Sequence, residues 1–207
     1  MKIDCLSVGP LQTNCYVISD DQTLDAMVVD PGDEADRILA LIRQEKLKVS
    51  MIVCTHAHFD HVGAVSRLRQ ETGARVALNR DDIEIYNKAQ EQAAFWEYSI
   101  EPPPEPDLFL ADRDKISVGH LDFDVLSTPG HSPGGICLYG EGVVLSGDTV
   151  FAGSVGRTDF YGGNVDELKK SFIEILALPP ESSILPGHGE STTVGRERET
   201  NFFLEEL

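Results

Sequence analysis

Thr55-His56-Ala57-His58-Phe59-Asp60-His61 brings three of the chain's six histidines and a carboxylate into seven positions. Imidazole nitrogen and carboxylate oxygen are donors for ions such as zinc, iron and manganese. The run from Val49 to Cys54 just before it is short, apolar and rich in β-branched residues, so the segment should leave the end of a buried strand. In extended backbone His56 and His58 point the same way and can share one ion. Asp60 and His61 are adjacent, point apart, and are better placed to serve a second ion. The spacing predicts two metals.

Three further donors recur in one setting, a glycine-containing turn directly after an apolar run: Thr128-Pro129-Gly130-His131, Ser146-Gly147-Asp148 and Leu185-Pro186-Gly187-His188. Glycine lets the backbone turn sharply and approach an ion, so loops at one sheet edge can converge on a common centre. Counting assigns His56, His58 and His131 to one ion and Asp60, His61 and His188 to the other, with Asp148 bridging through its two oxygens. Each ion keeps an open position for water, as in a catalytic rather than a closed structural site. His120 lies outside any such turn and is expected to be a polar surface residue.

The elements that must position these donors alternate between strand and helix. Lys2 to Val8, Cys15 to Ser19 and Ala26 to Val29 read as three short strands with an antiparallel start. From Asp33 as N-cap, a helix is expected to about Lys46, with Ala35, Ile38, Leu39 and Ile42 on one face. Val62 to Thr72 carries helical spacing and stops at Gly73, and Arg75 to Leu78 reads as the next strand. Arg80 to Gln92 reads as helical, followed by the aromatic cluster Phe95-Trp96-Glu97-Tyr98 and an extended proline-rich stretch from 101 to 106. That excursion is either a lid over the site or a surface segment whose aromatics pack on the core. Strands are then expected at Phe123 to Ser127, Ile136 to Tyr139, Val143 to Ser146 and Ser183 to Leu185. Helices are expected from Val165 to Ala177, after Asn164, and from Gly195 to Glu206. Strand-rich halves interleaved with helices imply an α/β sandwich.

Composition sets the outer bounds. The length suits one domain spanning 1–207, and 41% hydrophobic content is enough for a sizeable core. A net charge of −18 repels phosphate backbones, so nucleic acid is not the expected partner, and no run reaches the roughly 20 apolar residues needed to cross a bilayer. Cys5, Cys15, Cys54 and Cys137 are scattered without a CxxC pair and are expected to be buried free thiols, which suits a reducing, cytoplasmic setting.

The pattern His56-x-His58-x-Asp60-His61, followed by His131, Asp148 and His188, resembles the metallo-β-lactamase superfamily over nearly the whole chain. Asp60-His61, and Asp148 where zinc β-lactamases carry cysteine, point away from the lactamases. His58, where flavodiiron proteins carry glutamate, points away from those. The segments Thr128 to Gly134, Gly147 to Gly153 and Pro186 to Gly189 are most similar to glyoxalase II, the hydroxyacylglutathione hydrolases. Gly156 to Phe160 and Gly195 to Arg198 resemble its short bacterial branch. The resemblance implies a four-layer αβ/βα sandwich without a separate C-terminal helical domain, and a place for Asp30 behind the ligands, steadying the histidine loop. Read from residues alone, Asp30 is equally a turn former before Pro31-Gly32.

The chemistry this implies is hydrolysis of S-lactoylglutathione or a related hydroxyacylglutathione by two divalent ions, zinc first, with iron or manganese accepting the same donors. A divalent ion lowers the pKa of bound water to about 7, so a metal-bridging hydroxide is the expected nucleophile. Asp60 and Asp148 are the expected catalytic carboxylates beside it. Arg157 stands where larger relatives place a glutathione-binding lysine and could clamp a substrate carboxylate, or else pair with Asp159. The competing expectations are a mononuclear iron dioxygenase of glutathione persulfide using His56, His131 and Asp148, a lactonase of the same fold, and a metal-stabilised binding module. The expected partner is a small-molecule thioester, met by a monomer or homodimer.

Overall fold

Alternation along the central strands sets the layers. The computed structural model describes residues 1–207. Its first sheet contains β1 (Lys2–Val8), β2 (Thr13–Ser19), β3 (Asp25–Val29), β4 (Lys48–Val53), β5 (Arg75–Asn79) and β6 (Leu108–Leu110), side by side in chain order. Met27, Val29, Met51, Val53 and Ala77 face the second sheet, while Val28, Ile52, Val76 and Leu78 face the helices. Successive side chains therefore serve opposite cores, as a sheet covered on both faces requires.

The helices on the outer face are α1 (Ala35–Gln44), α2 (Phe59–Val62), α3 (Val65–Thr72), α4 (Ile83–Asn87) and α5 (Ala89–Phe95). They bury Ile38, Leu39, Val65, Leu68 and Tyr86 against the first sheet. The second sheet runs in the order β14-β13-β10-β9-β8-β7, built from β7 (Lys115–Val118), β8 (Leu121–Ser127), β9 (Ile136–Gly140), β10 (Val143–Gly147), β13 (Ser183–Pro186) and β14 (Thr192–Thr193). Between β10 and β13 lie the small hairpin β11 (Val150–Phe151) and β12 (Ser154–Val155), then α6 (Val165–Leu176); α7 (Val194–Thr200) follows β14. Leu126, Cys137, Val144 and Ile184 turn to Phe172 and Ile175 of α6, completing a helix, sheet, sheet, helix order. The four-layer sandwich is the fold expected from the sequence.

Strand direction brings the loops to one edge. β8 and β10 both run antiparallel to β9, and β13 runs parallel to β10, so β8, β10 and β13 end on the same side. β3 and β4 are parallel and end facing them, and Ile136 N donates to Thr55 O at 2.8 Å across the gap. Asn14 closes the rim, with its backbone N–H donating to Gly187 O at 2.7 Å and its side-chain amide to Pro186 O at 3.0 Å.

Several local expectations are corrected. Glu34, in the left-handed region at φ 49°, precedes α1, and Asp33 instead accepts from Glu34 N and from the Tyr98 hydroxyl. The helix expected from Val62 is two helices, and the histidine segment itself ends in the single turn α2. The terminal helix ends at Thr200, where Asn201 takes extended backbone and caps a 3₁₀ turn by accepting from Phe203 N. β6 and β7 were too short to be read from periodicity. Cys5 is exposed, while Cys15, Cys54 and Cys137 are buried, and all four are free. No helix is long and apolar enough to cross a membrane.

Phe123 fills the space between the two sheets and has no exposed surface. Phe123→Ala should cost about 3–5 kcal/mol in urea unfolding. A loss below about 1 kcal/mol would mean that the sheets are not held together through this ring.

Candidate metal centre

Past Val53 the chain stays buried through His58, although it has left the sheet. His56, His58 and His131 form one group of converging ring nitrogens, and Asp60, His61 and His188 form another, each with its donor atoms within 4.8 Å of one another. In the first, His58 Nδ1 lies 2.9 Å from His131 Nε2, and the His56 ring stands 4.8 Å from each of those two rings, centroid to centroid. In the second, Asp60 Oδ2 is 3.2 Å from His188 Nε2 and 3.6 Å from His61 Nε2. Asp60 and His61 therefore do not point apart as extended backbone implies. They sit on the helical turn α2, and both reach inward.

Asp148 lies between the groups. Its Oδ2 is 3.5 Å from His131 Nε2 and 3.7 Å from His188 Nε2, and its Oδ1 is 3.5 Å from His61 Nε2. Gly187 packs so close that a methyl group on it would overlap Asp148 Oδ1 and the His61 ring, which explains glycine at this approach.

The donor set fits two cations. His56 Nε2 and Asp148 Oδ1 are buried and have no hydrogen-bond partner, a costly arrangement unless an ion takes the lone pairs. Burial, reinforced by the neighbouring imidazoles, holds His56 far below its ordinary value, and burial with the nearby His131 brings His58 down to about 3, so both are neutral and free to donate a lone pair. Burial pushes Asp60 up, but His61 and His188 beside it prevail and hold its carboxyl well below the usual range. Burial likewise lowers His61, and the carboxylates Asp60, Asp148 and Asp30 outweigh that effect, raising it to about 10. This excess of negative charge around His61 is what a cation would neutralise.

Three of the five rings are aimed by their other nitrogen. His61 Nδ1 meets Asp30 Oδ2 at 3.0 Å, and His131 Nδ1 and His188 Nδ1 meet the carbonyls of Arg157 at 2.7 Å and Leu11 at 3.0 Å. A carbonyl only accepts, so both rings carry the proton on Nδ1 and turn Nε2 to the centre. Asp30, at φ 52°, also accepts from Thr55 N at 2.7 Å and Thr55 Oγ1 at 2.6 Å, so it steadies the histidine segment from behind.

Two supports were not read from the sequence. Asp82, fully buried, accepts from Ala57 N at 2.9 Å, Ser132 Oγ at 2.9 Å and Gly134 N at 2.6 Å, tying the His56–His58 segment to the His131 turn. Thr13 Oγ1 donates to Asp60 Oδ2 at 3.0 Å. Neither belongs to a motif; a second aspartate in Arg80-Asp81-Asp82 at the start of a helical segment looks like ordinary helix-start acidity.

His58 and His131 of the first group, Asp60 and His188 of the second, and Asp148 between them line a cavity of about 780 Å³, with His56 and His61 buried behind. Arg157 lines it, but its guanidinium is held by both oxygens of Asp159 at 2.5 and 2.6 Å and lies 4.1 Å above the Phe160 ring. His120 is exposed and bonded to Asp20, far from the centre in role as expected. Of the aromatic cluster, Phe95 and Trp96 border the cavity, and Tyr98 packs near Phe59.

Residues 8–188 match the family model of the metallo-beta-lactamase superfamily, and the chain belongs to that superfamily. The hydroxyacylglutathione hydrolase GloC of Haemophilus influenzae is 35% identical, with 99% of this chain and 98% of the relative covered. The crystal structure of TTHA1623 in a di-iron-bound form has a TM-score of 0.90 at 40% identity, covering 97% of this chain and 99% of that one. The BLEG-1 B3 metallo-beta-lactamase has a TM-score of 0.92 at 35% identity, covering 98% and 99%. ETHE1 from Myxococcus xanthus has a TM-score of 0.82 at 28% identity, covering 98% and 84%.

Asp82→Ala leaves three buried donors unpaired and frees two of the ligand loops. It should weaken metal binding by the His56, His58 and His131 group roughly 10- to 100-fold in a chelator competition. Unchanged affinity would show that the loops hold their places without it.

Proposed function

We propose that the chain is a binuclear metal-dependent hydrolase of thioesters, acting on S-lactoylglutathione or a related hydroxyacylglutathione. The observation that carries this reading is the sharing of Asp148 between two donor groups at the floor of an open cavity. His56, His58 and His131 would hold one ion, Asp60, His61 and His188 the other, and Asp148 both. Zinc is the proposed ion, and the di-iron form of TTHA1623 makes iron the first alternative. When bound, two such ions lower the pKa of water to about 7 and polarise a carbonyl.

The protein's own side chains favour a thioester over an amide. Outside the two donor groups and Asp148, the titratable groups on the cavity wall are Arg157 and Tyr161. Arg157 is paired with Asp159, and the Tyr161 hydroxyl donates to Glu84 at 2.8 Å. Neither is poised to protonate a leaving amine. A thiolate, from a thiol of pKa about 8.5, departs without that help. The name of the Haemophilus influenzae relative supports the same substrate class. Three buried free thiols support a reducing, cytoplasmic setting.

Metal-loaded protein should release glutathione from S-lactoylglutathione with kcat/KM of at least about 10⁴ M⁻¹s⁻¹. Full loading without thiol release would overturn the reading, and oxygen uptake with glutathione persulfide in its place would assign the chain to dioxygenase chemistry. Asp148→Ala should lower occupancy of both positions. Retention of two ions would remove Asp148 as their bridge.

A further inference from the structure

The cavity above the donor groups has a wall that the hydrolysis itself does not use. Half of its sixteen lining residues are hydrophobic. Phe160, whose ring stands 5.5 Å from His58, lines it beside the first donor group, Leu11 lines it beside His188, and Tyr161, Trp96 and Phe95 complete its apolar lining. Phe95 is 82% exposed and Tyr161 66%, and Trp96 is half exposed with its ring 5.9 Å from that of Phe95. The short helix α5 is seated by the fully buried Ala89 and Ala93, so these two aromatics at its end are held out over the cavity. Exposed aromatic surface around one cavity is costly unless something apolar covers it.

Charge is arranged to match. The cation on the wall, Arg157, is neutralised by Asp159, and Lys88 beside Tyr161 is paired with Glu84 at 2.7 Å. With both cations already paired, the charge on this wall is spent within the protein and its apolar side chains are left to meet an apolar group.

We propose that Leu11, Phe95, Trp96, Phe160 and Tyr161 form an acyl-group subsite that selects thioesters with a bulky apolar acyl chain over those with a short hydroxyacyl group. This rests on the thioesterase reading of the metal centre and extends it from the reacting bond to the acyl group. The carbonyl sits at the donor groups, and the acyl chain runs outward along the aromatic wall, where each methylene it buries adds affinity. S-Lactoylglutathione, with its short polar acyl group, reaches the donors but leaves the wall uncovered.

Trp96 is the single tryptophan of the chain, so intrinsic fluorescence reports directly on the wall. The metal-loaded protein is titrated with thioethers that cannot be hydrolysed, S-methyl-, S-butyl- and S-hexylglutathione, which keep the glutathione constant and lengthen only the apolar arm. The expected result is a change in Trp96 emission with the longer arms and a Kd that falls roughly threefold to fourfold for each methylene buried. Phe95→Ala should flatten that dependence without changing metal content. Equal affinity for the methyl and hexyl compounds, or a Phe95→Ala protein with the full chain-length dependence, overturns the subsite. Tight hexyl binding by a protein that hydrolyses no thioester leaves the subsite standing and removes the hydrolase reading. Turnover of S-lactoylglutathione without chain-length dependence does the reverse.

Discussion

Two carboxylates, Asp60 and Asp148, lie among five imidazoles at the joined ends of the two sheets, and the surrounding structure is arranged around holding them there. Such a cluster is unstable on its own terms. Burial strips water from His56 Nε2 and from Asp148 Oδ1, and nothing in the protein replaces the lost hydrogen bonds of these two atoms. A pair of cations resolves this, because each lone pair then has an acceptor and the negative charge around His61 is compensated. Metal bound there would supply binding energy to the centre, and its loading should then be coupled to the order of all the loops that meet there.

The rest of the edge works to keep the donors aimed. Buried aspartates do this from behind: Asp30 joins Thr55 to His61, and Asp82 joins the first histidine segment to the turn of His131. Backbone carbonyls of Leu11 and Arg157 fix the proton positions of His188 and His131. These contacts bridge residues far apart in sequence, so the two sheets must be docked before the centre is complete. The inter-sheet core around Phe123, Met27 and Val53 is the physical condition for that docking.

The parts of this arrangement that were readable from sequence are those with a local signature. Short apolar runs bounded by turn residues marked β4, β5, β8 and β10, and a glycine-containing turn after an apolar run marked His131, Asp148 and His188. The geometry of Asp60 and His61 was not readable, because four residues of helix within a loop carry no periodicity, and the inference from extended backbone had them diverge. Asp82 was hidden for a different reason: its role is to accept hydrogen bonds from residues 25, 50 and 52 positions away, and no short pattern encodes that. For Arg157 the sequence left two roles open, a clamp on a substrate carboxylate or a pair with Asp159; the pair is what forms, on the cavity wall, so proximity to a site and availability to a ligand are separate properties. Its backbone carbonyl, which orients His131, is invisible to residue type altogether.

The central claim is that two donor groups sharing Asp148 hold two ions. Crystals of protein purified without added metal, measured above and below the absorption edges of zinc and iron, address it directly. Two anomalous peaks roughly 3.5–4 Å apart, one within reach of His56, His58 and His131 and one within reach of Asp60, His61 and His188, are the expected result. A single peak at the first group after saturation with metal, with Asp60 and His188 still bonded to each other, would contradict it.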